Sequence, residues 1–429
     1  MPYKGLSHQQ QVELTRAEID QGTETIYEAT FLHDGIFVKA DILHHGPLGW
    51  EIYEVKGSTE VKDVYIFDAA IQYLVLTGSG LDVSKVSITH INNKYIRCGE
   101  LDVQQLFASE EITSQVHELQ PIVVGGIAVQ RTMLTGDMPA IDIGKQCDDP
   151  YPCDFKGSCW AHIPEDSIFD LRGRGIDKFA LYRQGIIRQA DIPLDILNSR
   201  QHFQLESTIM QRNHLDTKKV TAFIDSLWYP LCFLDFETVN PAVPLFDDSR
   251  PYQQMPFQYS LHRQDNANSE IQHFEFLSQA GIDPRFELLD TLLERIPENA
   301  CIIAWNMSFE IGVMRGLAGL FPEQHERIEH MVENFRDLMQ PFKSRDIYLW
   351  EAKGSYSIKP TLPLLVPELS YKNLEGVANG GDAMDAYYKM NSSDDPAELA
   401  TIRQQLLDYC ERDTLAMVRI LDKMREMVQ

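Results

Sequence analysis

The segment YPLCFLDFETV, residues 229–239, is an apolar run of strand-forming residues that ends in acidic side chains. Its hydrophobic residues Leu231 to Leu234 predict a buried β-strand. Asp235 and Glu237 lie two residues apart, so their side chains point to the same face of an extended chain. The two carboxylates can therefore converge on one cation at the end of the strand, although solvated loop acids would give the same pattern.

A third acidic residue follows a second predicted strand. The segment ACIIAWN, residues 300–306, leads into MSFEIGVMRGLAG, residues 307–319, which has the pattern of a helix and carries Glu310 near its start. A helix N-terminus favours a carboxylate electrostatically. Glu310 is therefore either a further metal ligand or a capping acid.

The predicted C-terminal helix, from about Pro396 to Met427, brings a phenol beside a carboxylate. Tyr409 and Asp413 are four residues apart and share one face of this helix. The acid could hold a metal while the phenol orients the water that the metal activates. The alternative is an ordinary amphipathic helix with a buried tyrosine and an exposed aspartate.

Taken in this order, three short segments resemble the motifs of the DEDD exonuclease superfamily, which has the ribonuclease H-like fold. The segments are LDFET at 234–238, WNMSFE at 305–310 and YCERD at 409–413. The tyrosine four residues before the last aspartate is similar to the tyrosine subtype of that superfamily. Glutamate at position 310 departs from the superfamily, which usually has aspartate there.

The resemblance implies a metal-dependent 3′-to-5′ exonuclease that hydrolyses phosphodiesters of single-stranded DNA or RNA with two metal ions. Asp235 would bridge the ions, Glu237 and Asp413 would complete the metal shell, and Glu310 would bind one ion directly or through water. Tyr409 would position the attacking water. Mg²⁺ or Mn²⁺ suits ligands that are all oxygen.

Three aromatic residues near the second half's acidic pair have two interpretations. Phe236, Phe257 and Tyr259 lie in predicted strands. They could stack on the bases of a threaded single strand or belong to the hydrophobic core. The sequence pattern favours the core.

The first half carries a different acidic pattern, in a predicted order of three strands, a helix and a further strand. Asp41 ends one strand, and Glu54 and Lys56 occupy alternate positions of the next. An aspartate and a glutamate can hold one metal while the lysine stabilises a hydroxide or a developing phosphate charge. A hairpin with ordinary surface charges is the alternative.

The order of elements and Gln72 on the following helix resemble the RecB-like branch of the PD-(D/E)XK nucleases. The loop QCDDPYPCDFKGSCW places Cys147, Cys153 and Cys159 after this core. They are similar to the last three cysteines of the iron–sulfur members of that branch, and the resemblance implies a cluster. Zinc bound together with His162 is the alternative.

The same resemblance predicts a chain that is shortened at its start. The iron–sulfur members have a leading cysteine before the first strand and a helix with an active-site histidine. This chain has no cysteine before Cys98. We therefore expect the N-terminal cysteine and histidine segment of the family to be missing.

Length and composition predict a globular chain of two domains, with a small connecting module between them, and the order of predicted strands and helices is that of an α/β protein. The 429 residues exceed one ordinary core, and the predicted division is 1–163 for the RecB-like domain, 164–228 for a helical connector and 229–429 for the exonuclease domain. Seven cysteines in a chain without a signal peptide or an apolar membrane span predict a cytoplasmic protein without a disulfide framework and without a membrane partner.

The charge opposes a nucleic-acid partner on average. The 38 Lys and Arg residues face 64 Asp and Glu residues, giving a formal net charge of -26, which disfavours non-specific attraction to a polyanion. Divalent cations held by carboxylates can reverse the local field. A basic groove can also exist within an acidic average.

The chain as a whole resembles a bacterial family of fused proteins known as domain of unknown function 2779 (DUF2779). Three phrases carry this likeness: IGKQCDDPYPCDFKGSCWAHIP, YPLCFLDFETVNPAVPLF and PYQQMPFQYSLH. The main alternative to a nuclease is a catalytically inactive module that binds nucleic acid or protein on a nuclease fold. A protein whose working part is an iron–sulfur or zinc loop is a third possibility.

Overall fold

The structure, a computed structural model, describes residues 5–371, 374 and 376–429. Contacts within the chain divide it into two units. The first unit comprises residues 1–142, 148–152 and 241–253, and the second comprises 143–147, 153–240 and 254–429. The predicted connector, residues 164–228, falls within the second unit, and its separation as a domain stays a prediction.

The first unit is a mixed sheet with helices, as the sequence predicts. Its helices and strands are α1 (His8–Asp20), β1 (Thr25–His33), β2 (Ile36–Gly46), β3 (Gly49–Lys56), α2 (Asp63–Gly78), β4 (Val83–Ile91), α3 (Val103–Leu106), β5 (Phe107–Glu111) and α4 (Thr113–Leu134). The strands lie in the order β1-β2-β3-β4-β5. Only the pair β3 and β4 is parallel, because α2 connects these two strands as a crossover helix.

Apolar residues of this sheet pack against α2 and α4. Ala69, Ala70 and Val75 of α2 are fully buried, together with Ile52 and Ile88 of the two parallel strands. The small alanines allow the helix to lie close to the strands. This core fixes the end of β3, where Glu54 and Lys56 are located.

The second unit begins with short helices and continues into a larger sheet. Its elements up to the third sheet strand are α5 (Lys156–Cys159), α6 (Lys178–Arg183), α7 (Ser199–Met210), β6 (His214–Leu215), α8 (Thr217–Asp225), β7 (Leu231–Val239), β8 (Met255–Gln264) and β9 (Gln272–Leu277). The remaining elements are α9 (Arg285–Arg295), β10 (Cys301–Ala304), α10 (Ser308–Leu320), α11 (His325–Glu333), β11 (Phe335–Asp337), α12 (Gln340–Lys343), β12 (Ile347–Tyr348), α13 (Ile358–Leu365), α14 (Gly380–Ser392) and α15 (Pro396–Val428).

The larger sheet has the strand order β11-β10-β7-β8-β9. Strands β7, β10 and β11 are parallel, while β8 and β9 are antiparallel to their neighbours. The carboxyl ends of the three parallel strands therefore meet at one edge. In sheets of this kind, ligands commonly bind at that edge.

Helices cover both faces of this sheet, and alternation along β7 assigns its side chains to them. Leu234 and Phe236 pack toward α9, α10 and α11. Leu231 and Phe233 pack toward α8, α13 and α15. Because alternate strand residues share a face, Asp235 lies on the side of α15.

Candidate metal centre

The predicted pair of acids lies at the carboxyl end of β7, on the face that α15 covers. Asp235 is half-buried, and Glu237 is only 7% exposed. A register shift follows Glu237 in the pairing with β8. The apolar residues before the pair are buried in the two cores, so the strand holds the two carboxylates firmly at its end.

Helix α15 is fixed on this face by polar contacts with β8. Gln258 Nε2 donates to the carbonyl of Leu406 at 2.8 Å. The hydroxyl of Thr414 lies 2.7 Å from Ser260 Oγ and 2.8 Å from His262 Nδ1. These buried hydrogen bonds set the rotation of the helix, and with it the direction of the neighbouring Asp413.

Tyr409 and Asp413 both point into the protein. Tyr409 is 4% exposed and Asp413 is 8% exposed, so the alternative of an amphipathic helix with an exposed aspartate is wrong. Between them, Cys410 is fully buried, and its thiol lies 3.8 Å from Asp235 Oδ2. The last motif therefore faces the first motif directly.

Glu310 is the third residue of α10 and is 2% exposed. Among the residues that the structure describes, its Oε2 atom is buried and has no hydrogen-bond partner. An exposed capping acid would have water at that oxygen. A buried carboxylate oxygen without a partner instead fits a group that awaits a cation.

The electrostatics show that the four acids form one cluster. Burial raises the pKa of Asp235, and the charges of Asp413, Glu237 and Glu310 raise it further. Burial and the neighbouring carboxylates also raise the pKa of Glu237 to about 8. Burial raises the pKa of Glu310 to about 8, with Asp337 and Asp413 adding to the effect.

Asp413 differs from the other acids because hydroxyl groups donate to it. Burial raises its pKa to about 6, and hydrogen bonds from Tyr371 and Tyr409 together with the charge of Lys359 oppose this rise. Lys359 also opposes the rise at Glu237. Its ammonium lies 5.8 Å and 5.7 Å from the ring centres of the two tyrosines.

Several of these residues escaped the sequence analysis. Tyr371 and Lys359 lie outside the three motifs, and only the tertiary structure brings them beside Asp413. Asp337, at the end of β11, accepts hydrogen bonds from the backbone of Asn306 and Met339, both at 3.0 Å. The sequence could have indicated Asp337, because an acid at the end of a parallel strand lies at the same edge of the sheet as Asp235.

The donor set fits hard divalent cations. The cluster offers four carboxylates, and the described residues place no Lys or Arg nitrogen within ion-pair distance of any of them. Ligand atoms of Asp235, Glu237 and Cys410 lie within 4.8 Å of one another. Burial and the nearby carboxylates raise the pKa of the Cys410 thiol, so it stays protonated, and the oxygen ligands favour Mg²⁺ or Mn²⁺.

A second group of possible ligands lies on the same face. His262, His273 and Glu411 have ligand atoms within 4.8 Å of one another. His273 Nε2 is 2.9 Å from Ser260 Oγ, and the two imidazole rings stack with centres 4.5 Å apart. Both imidazole rings contact hydroxyl groups, His262 that of Thr414 and His273 that of Ser260. This group is therefore explained as part of the polar network that fixes α15.

In the first unit, the structure brings the predicted residues together at the end of β3. Glu54 is 5% exposed and accepts from Lys56 Nζ and from Gln72 Nε2, both at 2.7 Å. Asp41 lies in the middle of β2, so the prediction that it ends a strand is wrong. Its Oδ2 atom accepts from the backbone N–H of the residue between Glu54 and Lys56 at 2.7 Å. Asp68, which the sequence analysis missed, binds Lys56 Nζ at 2.6 Å.

These contacts occupy the lysine. Burial acts to lower the pKa of Lys56, but its hydrogen bonds to Asp68 and Glu54 outweigh burial and raise it. Burial raises the pKa of Glu54, and the charge of Asp41 adds to this while Lys56 and Gln72 oppose it. The buried face of the hairpin therefore carries polar and charged side chains that hydrogen-bond to one another, and not ordinary surface charges.

The three cysteines of the loop are not among the ligand groups that the described residues bring within 4.8 Å of one another. Cys147 is buried, whereas Cys153 and Cys159 are exposed. His162 Nε2 lies 2.9 Å from the hydroxyl of Tyr182. An iron–sulfur cluster or zinc at this loop stays a prediction.

The aromatic residues considered for base stacking belong to the core. Phe236, Phe257 and Tyr259 are at most 3% exposed. Phe257 stacks on the buried ring of Tyr387, with centres 4.3 Å apart.

No helix among the described residues is long and apolar enough to span a membrane.

Comparison with known proteins finds similarity in the part of the chain that carries this centre. Residues 232–357 match the family described as Domain of unknown function (DUF2779). The match includes Asp235, Glu237 and Glu310. The likeness of the rest of the chain to this family stays a prediction.

Curated relatives are proteins of mycoplasmas and ureaplasmas. An uncharacterized protein of Mycoplasma pneumoniae is 25% identical over 55% of this chain and 38% of its own length. One of Ureaplasma parvum is 28% identical over 44% of this chain and 30% of its own. One of Mycoplasma genitalium is 24% identical over 55% and 36%. The matched region thus spans between 30% and 38% of the length of each relative.

Proposed function

We propose that the second unit is a metal-dependent nuclease of the 3′-to-5′ exonuclease type, built on a ribonuclease H-like fold. One observation carries this proposal: three separate segments deliver four largely buried carboxylates to one edge of the sheet. These are Asp235 and Glu237 on β7, Glu310 on α10 and Asp413 on α15. Their mutual repulsion is costly without cations.

The positions of the motifs support the proposal. In the DEDD exonucleases that the three segments resemble, the motifs supply the ligands of one centre. Here the first and third motifs face each other across Cys410 and Asp235, and Glu310 raises the pKa of Asp235. Solvated loop acids, the alternative for the first pair, would not be buried and coupled in this way.

Divalent cations bound to the four carboxylates would supply activation of water and neutralisation of the phosphate charge. The protein's own groups then orient the reactants. Tyr409 donates its hydroxyl hydrogen to Asp413, so its oxygen can accept a hydrogen bond from the attacking water. Lys359 brings a positive charge to the same site and can attract the scissile phosphate.

For the first unit we propose a RecB-like PD-(D/E)XK fold. The arrangement of Asp41, Glu54, Lys56 and Gln72 supports it. Lys56 is bound between Glu54 and Asp68, so a reaction here would require Lys56 to leave one partner. This observation favours a structural or binding role for the first unit and hydrolysis in the second.

The test is degradation of single-stranded DNA and RNA that carry a label at the 3′ or the 5′ end, with Mg²⁺ or Mn²⁺. Stepwise shortening from the 3′ end by the wild type, and its loss in Asp235→Asn and Asp413→Asn, is the expected result. Asp408→Asn is the matched control because Asp408 lies on the same helix and is exposed. Glu54→Gln should retain the activity.

Two results would contradict the proposal. Absence of cleavage above the level of the variants, with every metal tested, would favour an inactive module that binds nucleic acid or protein. Cleavage that Glu54→Gln abolishes and Asp235→Asn leaves intact would move the reaction to the first unit. The same assay separates DNA from RNA as the substrate.

A further inference from the structure

A basic cavity of about 540 Å³ lies in the second unit, and its described lining includes none of the carboxylates discussed above. Five cationic residues line it, namely Arg172, Arg174, Arg200, Lys343 and Arg345. The other lining residues that the structure describes are neutral, with no Asp or Glu among them. In a chain with a formal net charge of -26, a concentration of this kind is a distinct electrostatic feature.

These cations are not used to balance acids of the protein. Within the described residues, none of the five lies within 4.0 Å of a carboxylate oxygen, whereas the neighbouring Lys353 and Lys219 pair with Asp166 and Asp346. Bringing five cations together without counter-ions costs free energy. That cost is offset when an anion binds.

Contacts within the fold fix part of the cavity lining. Arg345 donates to the backbone carbonyl of Arg200, and its guanidinium lies 5.5 Å from the ring centres of Phe203 and Tyr348. Burial lowers the pKa of Arg345. Arg172 Nε donates to a backbone carbonyl at 3.2 Å. The fold therefore positions the guanidinium groups of Arg345 and Arg172, whereas Arg174 and Arg200 are exposed.

A second cavity of about 440 Å³ adjoins the first. The two cavities share Arg172, Lys343, Ser355 and Tyr356, and the second adds Trp305 and Asn306. Trp305 Nε1 donates to the backbone carbonyl of Tyr356 at 3.2 Å. The backbone N–H of Asn306 donates to Asp337, whose charge raises the pKa of Glu310, so the second cavity has a lining residue near the acidic cluster.

A second connection leads to the same cluster. Ser355 and Tyr356 line both cavities, and α13 starts directly after Ser357. Lys359, the second residue of α13, influences the pKa of Glu237 and Asp413. Residues that line the second cavity therefore lie within a few positions of Glu310 and of Lys359 along the chain.

We propose that this cavity binds the phosphate backbone of the nucleic-acid strand whose end is hydrolysed at the four carboxylates. The proposal rests on the proposed function for the position of that end. The five cations supply phosphate contacts without a counter-charge. Tyr356, which is 42% exposed, offers a ring for base stacking. This path also explains how so acidic a chain can hold a polyanion.

Binding is measured separately from hydrolysis. Fluorescence anisotropy reports the affinity of a labelled single-stranded oligonucleotide for the full chain in Ca²⁺, with Asp235→Asn as the common background. We expect the double variant Arg174→Glu and Arg200→Glu to bind at least about tenfold more weakly. For every phosphate that the variant no longer neutralises, the slope of log affinity against log salt should also become shallower by about 0.7.

The control is Arg183→Glu, which changes charge equally at an exposed arginine of the same unit that does not line the cavity. It should bind like the background protein. The milder pair Arg174→Gln and Arg200→Gln should give an intermediate affinity. Circular dichroism of each variant identifies any loss of fold, in which case the milder pair decides.

Hydrolysis of a small diester, bis(p-nitrophenyl) phosphate, with Mn²⁺ separates this proposal from the proposed function. In the native background, the cavity variants should retain this activity while losing activity on the oligonucleotide. Binding that does not differ among wild type, cavity variants and control would overturn the cavity proposal, whatever the carboxylates do. If the cavity variants bind more weakly but the protein hydrolyses neither substrate, the result would support nucleic-acid binding by the cavity and contradict the proposed exonuclease activity.

Discussion

Tyr371 donates a hydrogen bond to Asp413, although 42 residues separate them in the sequence. Tyr409 reaches the same carboxylate from one turn earlier in α15. Asp413 consequently has a pKa of about 6, lower than the value of about 8 at Glu237 and Glu310. Two phenols thus hold the last acid of the cluster ready to bind a cation.

Replacing Tyr371 by phenylalanine should raise the pKa of Asp413, because the carboxylate loses a donor that stabilises its charged form. Metal binding then competes with protonation of Asp413 over a wider range of pH. We expect Mn²⁺ affinity near pH 7 to fall by about three- to tenfold and to recover at higher pH, since loss of a hydrogen bond to a charged group costs about 1 to 2 kcal/mol. Isothermal titration calorimetry across pH measures this.

The matching change Tyr409→Phe distinguishes the roles of the two phenols. If Tyr409 also acts on the attacking water, its loss should reduce the rate of hydrolysis by about 10² or more. Mn²⁺ affinity should fall less than in Tyr371→Phe, because the hydrogen bond from Tyr409 lowers the pKa of Asp413 less than the one from Tyr371 does. Equal effects of both substitutions on affinity and rate would contradict the separate roles.

Asp235→Asn should abolish hydrolysis and yet stabilise the protein without metal. Asp235 lies among three other acids, and asparagine keeps its shape while removing the charge. Relief of buried like-charge repulsion is expected to raise the free energy of unfolding by about 1 to 3 kcal/mol near pH 8. Urea unfolding in EDTA measures this change.

The control for this change is Asp408→Asn, at an exposed position of α15, where the free energy of unfolding should stay within about 0.5 kcal/mol. Destabilisation by Asp235→Asn in EDTA would mean that the aspartate is held by favourable contacts and not by repulsive ones.

The stability of the metal-free protein should decrease as pH rises from about 5 to about 8. The pKa values of Glu237 and Glu310 are about 8 in the folded protein, against ordinary values of 4.5. The folded state therefore holds more protons than the unfolded state in this range, and stability falls as those protons leave. The melting temperature in EDTA, followed against pH, measures the trend.

Addition of Mn²⁺ should have the opposite pH dependence. The cation replaces the protons, so its stabilising effect should be small near pH 5 and large near pH 8. A Mn²⁺-induced increase in melting temperature that is equal at both pH values would argue against binding at the four acids.

Thr414→Val should loosen α15 from the sheet. The hydroxyl of Thr414 contacts Ser260 and His262 in a buried position, and valine would leave both groups without that partner. We expect the free energy of unfolding to fall by about 1 to 3 kcal/mol. Thr401→Val is the matched control, because Thr401 lies on the exposed side of the same helix. Equal effects of the two substitutions would show that the network does not fix the helix.

Much of the fold follows from local patterns. The apolar run before Asp235 predicts β7, and the structure has that strand at 231–239. The helical pattern near the C-terminus predicts α15, which spans Pro396–Val428. In the first half, the strand pattern predicts β3 and the shared face of Glu54 and Lys56, which the contact between them confirms.

The sequence by itself determined which acids point together within one element. Side-chain period fixes the common face of Asp235 and Glu237 on a strand, and of Tyr409 and Asp413 on a helix. These relationships depend only on backbone geometry over a few residues. They need no knowledge of the rest of the chain.

Only the tertiary structure decided which elements meet. Lys359 on α13 and Tyr371, which follows that helix, come near Asp413 because both segments pack with α15 on the same face of the sheet. Five cations from distant segments line one cavity for a similar reason. Such contacts depend on long-range packing and on the burial that shifts the pKa values. No periodicity in the chain encodes them, because the partners are separated by tens of residues.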